Sequence, residues 1–217
     1  MKIRIKANRL AITFLFMLFP VIASAEETSQ ISYADTAWIM VSSALVMLML
    51  PGLALFYGGM VRRKNVLSTL MHSFIPLGVI TIQWVLFGYS LAFGNDIGHF
   101  VGDLSKVLFM GIDFKTLSGT IPEYLFSMFQ LMFAIITAAL ISGGMAERVD
   151  FKAYIIFIFI WSTVVYDPIC HWVWGGGWAG NMGILDFAGG TVVHINSAAA
   201  ALALCLMVGK RKNSNIR

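Results

Sequence analysis

A histidine stands inside a stretch that is otherwise built to be apolar. Asp186–Leu206 reads DFAGGTVVHINSAAAALALCL, long enough to cross a bilayer, for which about 20 residues suffice. His194 follows Asp186 by eight residues, or about 12 Å of helix. The half-depth of a bilayer core is about 15 Å. If Asp186 caps the helix near one surface, His194 therefore lies close to the midplane. An ionisable group there is costly and by default marks a functional site. Gly190, His194, Ser197 and Ala201 fall on one helical stripe, whose small residues admit a neighbouring helix or a small substrate. The alternative is a packing face on which a buried His194 hydrogen-bonds a neighbouring helix.

Two aromatic groups stand elsewhere. Phe129 and Phe133 are four residues apart and share a helix face, as lipid-facing or packing aromatics also do. Trp172, Trp174 and Trp178 cluster around Gly175-Gly176-Gly177. Interface anchoring explains such tryptophans, but the glycines permit a sharp turn that aims an indole inward. His72 and His99 have no partner residues that suggest a role. No nucleophile–base pair or metal-ligand spacing occurs, so the expectation is neither an enzyme nor a metal or cofactor protein.

The positioning elements are membrane spans. Of 217 residues, 59% are hydrophobic, a membrane composition. Lys2, Arg4, Lys6 and Arg9 precede an apolar run and then Ala23-Ser24-Ala25, the pattern of a cleavable signal peptide over residues 1–25. Those four charges account for the net +4; eleven Lys and Arg then balance eleven Asp and Glu. Nothing favours nucleic acid. Five apolar spans follow, over 34–57, 66–93, 122–145, 153–169 and 187–209, in a unit covering 26–209. A basic tail, 210–217, ends the chain. Nine Lys and Arg follow spans one, three and five, against two in the other connections. The positive-inside rule thus puts the mature N-terminus outside and the C-terminus in the cytoplasm of an inner (plasma) membrane protein. Cys170 and Cys205 read as apolar filler at opposite ends of their spans, too far apart for a disulfide.

Asp186-Phe187-Ala188-Gly189-Gly190 with Val193-His194-Ile195-Asn196 closely resembles the signature of the ammonium transporter family (Amt/Mep/Rh). So do Pro51–Arg62, Trp84–Gly94, Phe129-Gln130-x-x-Phe133 and Gly143–Arg148. The resemblance implies an all-α integral membrane fold, the first of two inverted five-helix repeats in an eleven-helix transporter. It implies ammonium recruitment by Trp174 with Phe133, a gate of Phe129 and Phe133, a pore and proton-relay role for His194, and an orienting role for Asp186. It further implies nitrogen uptake and, for a full-length form, a homotrimer that PII-type signalling proteins can dock. Because the motifs of the second half are absent, the expectation is a truncated N-terminal half. The alternatives are a half-transporter needing a second half, and a non-transporting membrane sensor or scaffold.

Overall fold

The structure, a computed structural model, describes residues 30–211. The signal peptide expected over 1–25 and most of the tail 210–217 lie outside the described residues. Among the described residues, five helices are long and apolar enough to cross a membrane. They are span one Tyr33–Gly59, span two Arg63–Phe93, span three Glu123–Met145, span four Phe151–Asn181 and span five Gly190–Val208.

Local chemistry sets their ends. Ser32 caps span one, its Oγ accepting from the Asp35 N–H at 3.2 Å, as N-cap hydroxyls do. Asp150 caps span four by accepting from the Lys152 N–H at 3.0 Å. Pro76 and Pro168 each stand in the first turn of a helical segment, Pro76–Gln83 and Asp167–Trp174, where a missing N–H costs little.

Span three is the central helix. The rest of the chain covers 67% of its most apolar stretch, against 17% for span one. The four other spans all pack on it. The Tyr57 hydroxyl of span one donates to the Leu140 carbonyl at 3.0 Å. The Trp84 indole of span two donates to Ser127 Oγ at 3.1 Å. The Tyr154 hydroxyl of span four donates to the Ala138 carbonyl at 3.0 Å. Large aromatics thus fill the inter-helix space while their polar ends find partners. Span five comes in close: a Cβ on Gly144 would stand 2.9 Å from Ala201, the approach that small residues allow.

The fold is helical as expected, and loop 94–121 adds two small hairpins, β1 (Asp96–Ile97) with β2 (Val101–Gly102) and β3 (Leu117–Ser118) with β4 (Ile121–Pro122), both antiparallel. The structure corrects the sequence reading in two places. Span four does not stop at 169. It continues helically to Trp174, because a π turn over Ser162–Tyr166 absorbs the break that Asp167-Pro168 suggests. Span five, Gly190–Val208, lies within a few residues of its expected bounds and opens with its own π turn over Gly190–Ile195. Cys205 is not buried filler: it is exposed and accepts from the Arg148 guanidinium at 3.4 Å, whereas Cys170 is buried. Both cysteines are free.

Candidate functional site

The aromatic residues named from the sequence converge at one end of the bundle. Phe129 and Phe133 project from span three one turn apart, their ring centroids 4.9 Å apart and nearly perpendicular at 87°. Trp174, the last residue of the Asp167–Trp174 segment of span four, lies 5.8 Å from Phe133 at 66°. Both are edge-to-face arrangements that the ring quadrupoles favour. The three rings, with Phe126, Gln130 and Asp186, line an open cavity of about 420 Å³.

Two anchors hold Trp174. Its indole N–H donates to the Asp186 carbonyl at 3.0 Å, tying span four to the entry of span five. Three residues earlier, fully buried His171 faces the Ala92 carbonyl at 3.0 Å through Nδ1 and Asp96 Oδ1 at 2.9 Å through Nε2. The hydrogen bond with His171 is the largest influence holding the Asp96 carboxyl below its ordinary range. The glycines after Trp174 act by close approach as much as by turning. A Cβ on Gly175 would meet the Ala92 carbonyl and stand 2.7 Å from His171 Nδ1, and Gly176 has φ +91°.

Asp186 caps span five with its side chain. Its carboxylate accepts from the N–H groups of Gly190 at 2.8 Å, Thr191 at 2.8 Å and Val192 at 3.0 Å. Burial pushes this carboxyl up, but the helix N–H groups outweigh it and hold it below the usual value, as a helix N-terminus favours a negative charge. With its oxygens engaged in this way, the carboxylate orients backbone rather than reaching freely into the cavity.

His194 is not brought to this cavity. It is exposed in the described chain and does not line the aromatic cavity. It lies within the π turn of span five. Its N–H bonds back to the Gly189 carbonyl at 2.9 Å, five residues away, so the regular stripe breaks. Val192, Val193, Asn196 and Ser197 face inward, while Gly190 and His194 face out. The structure therefore brings Trp174, Phe133, Phe129 and Asp186 together and leaves His194 on an uncovered face of the same helix.

Two residues at the site carried no sequence-based role. Gln130 lines the cavity, and its Oε1 is buried without a partner; its position between the two phenylalanines was the available signal. His171 shares the helix end with Trp174, which in sequence reads only as part of a tryptophan cluster. His72 hydrogen-bonds the Ser68 carbonyl at 2.7 Å and packs against Phe151 and Tyr154, and His99 is exposed beside Asp96.

Comparison with known proteins agrees with this architecture. Residues 37–216 match the model of the Ammonium Transporter Family. An ammonium transporter of Bacillus subtilis is 54% identical over 183 residues, covering 82% of this chain and 45% of the relative. One from Aquifex aeolicus is 46% identical over 207 residues, covering 94% and 49%. The crystal structure of Candida albicans Mep2 superposes with a TM-score of 0.78 at 42% identity, over 85% of this chain and 41% of that one. The chain thus spans about half the length of the relatives it matches. With its five membrane-competent helices, it belongs to the ammonium transporter family.

Proposed function

We propose that this chain forms half of an ammonium pathway, collecting the cation at the aromatic cavity and passing it on as ammonia past His194. The observation that carries the reading is the contact of Trp174 with Phe133 at 5.8 Å, over a cavity that Asp186 also lines. A cation over an aromatic face gains about 0.5–1 kcal/mol when exposed and about 2 when desolvated. A bare charge in hydrocarbon costs several kcal/mol or more, whereas ammonia is neutral and small. In this reading Trp174 and Phe133 recruit the cation. Phe133 with Phe129 closes the path to hydrated ions. His194 takes the proton or relays it, since an unperturbed imidazole titrates at about 6.5. Asp186 keeps the first turn of span five, and with it His194, in register beneath the cavity.

The exposed face bearing His194 is where we place the second half of the pathway. The relatives' greater length supports this. In the full-length form we further propose an inner-membrane homotrimer with a PII-type docking partner on its cytoplasmic side; sizing of the solubilised complex tests the assembly.

Saturable methylammonium uptake by cells lacking other ammonium carriers tests the site. Trp174→Leu should raise the half-saturating concentration roughly 5- to 30-fold, the equivalent of about 1–2 kcal/mol. His194→Ala should abolish the saturable component. An unchanged half-saturation in Trp174→Leu sinks the recruitment role.

A further inference from the structure

Spans two and four cross at a buried polar pair outside the aromatic cavity. Each span widens there into a π turn, Trp84–Gly88 in span two and Ser162–Tyr166 in span four. Gln83 immediately precedes the first and Asp167 immediately follows the second. Such π turns often mark functional positions, because they re-aim the side chains beside them. Here they bring two side chains together: Gln83 Nε2 donates to Asp167 Oδ2 at 2.6 Å and to Thr163 Oγ1 at 3.2 Å. Both Gln83 and Asp167 are 0% exposed. The amide is held against Gly88, where a Cβ would stand 2.7 Å from Gln83 Oε1.

The charge balance of this pair is incomplete. Asp167 lies seven residues, about 10 Å of helix, below Trp174, well inside the span. Among the described residues the ion pairs involve Glu147, Asp96 and Glu123, and none reaches Asp167. The titratable groups that face it, Tyr166 and Cys170, belong to its own span and are neutral at pH 7. Span two offers the Gln83 amide, and Thr137 of span three faces Tyr166. An ionised carboxylate here would be an uncompensated buried charge, which is strongly unfavourable. It would also leave Asp167 Oδ1 and Gln83 Oε1 as buried acceptors without donors, as both now stand.

One proton eases both difficulties. It neutralises the carboxyl and turns Oδ1 from an unpaired buried acceptor into a donor. We propose that Asp167 is an intramembrane proton-binding site, held as a neutral acid at pH 7 by complete burial without a countercharge and distinct from both His194 and the aromatic cavity. The proposal stands independently of the ammonium pathway.

Infrared spectroscopy of the purified protein in bilayers tests it. At pH 7 we expect the carbonyl band of a protonated carboxylic acid, which shifts on deuteration and disappears in Asp167→Asn. Asn matches the neutral acid in size and charge, so the melting temperature should hold. Gln83→Leu, which removes the amide donor, should move the band without abolishing it. That second variant identifies the acid even if Asp167→Asn fails to fold. Absence of any protonated-acid band in the unmutated protein would overturn the proposal. So would a marked rise in melting temperature for Asp167→Asn, the response of a relieved buried charge.

Discussion

Asp186 combines a charge, a cap and a tether in one residue, and these functions separate by mutation. Its side chain holds the N–H groups of Gly190, Thr191 and Val192, while its backbone carbonyl holds Trp174. Asp186→Ala should destabilise the protein by about 1–2 kcal/mol, the value of a lost N-cap. Asp186→Asn, which keeps an acceptor, should cost less, and in both variants the Trp174 tether survives because it is backbone. The folded carboxyl lies below its usual range. Its contribution is therefore complete above the ordinary carboxylate value of about 4 and is lost as pH falls through the depressed folded value. Melting temperatures of the unmutated protein and Asp186→Asn should converge as pH falls below about 4; a constant gap would refute the charge contribution. At this scale the sequence was legible where residue type alone fixes behaviour, as for the cap at Asp186 and the paired rings at Phe129 and Phe133. The stripe of Gly190, His194, Ser197 and Ala201 did not hold, because a regular 3.6-residue repeat was applied across Gly190–Ile195. The extra residue of the π turn there rotates everything after it, and no residue type announces such a turn.

The glycine run after Trp174 makes the same point for an element. In sequence it reads as freedom to turn, but its members differ. Gly175 lies against the Ala92 carbonyl and His171, while a Cβ on Gly176 would meet nothing within 4 Å and only its φ of +91° resists substitution. Gly175→Ala should therefore cost about 1–3 kcal/mol by overpacking, since neither the backbone carbonyl nor the buried imidazole can move away. Gly176→Ala should cost about 1–2 kcal/mol through backbone strain alone. The two separate by site: Gly175→Ala should disturb the contact of His171 with span two and alter Trp174 fluorescence, and Gly176→Ala should not. Equal fluorescence changes would contradict this division. Spans one, two and three lay within a few residues of their sequence-based positions, because long apolar runs leave little ambiguity. Span four did not, since a proline after an aspartate normally signals an end. Here Pro168 begins the segment that follows a π turn, where its missing N–H is tolerated.

At the scale of the whole molecule, the end opposite the aromatic cavity is tied by Glu147. This residue has φ +64°, a left-handed conformation that non-glycine residues hold only at a cost. Its side chain is 4% exposed. Oε1 accepts from the Arg62 N–H at 3.2 Å, Arg62 Nε at 3.0 Å and Asn65 Nδ2 at 2.6 Å, and Arg211 lies 3.6 Å from Oε2. One carboxylate thus joins the start of span two, the end of span three and the exit of span five. The Arg62 side chain is the largest influence holding it down at about 2. Its stabilisation is present above the unfolded value of about 4.5 and is lost as pH falls toward 2, so Glu147→Gln should flatten the acid limb of the stability curve. The basic residues gathered at this end also predict an orientation. Arg62, Arg63, Lys64, Arg148, Lys152, Lys210 and Arg211 all lie at or beyond span ends there, while Lys106 and Lys115 belong to loop 94–121. Insertion follows such an asymmetry because Lys and Arg flanking a span resist translocation. A membrane-impermeant thiol reagent applied to intact cells, in a background with Cys170 and Cys205 replaced, should label Ser118→Cys and spare Lys64→Cys. The reverse pattern would invert the molecule, put the aromatic cavity on the cytoplasmic side, and remove the case for Trp174 and Phe133 as collectors of external ammonium.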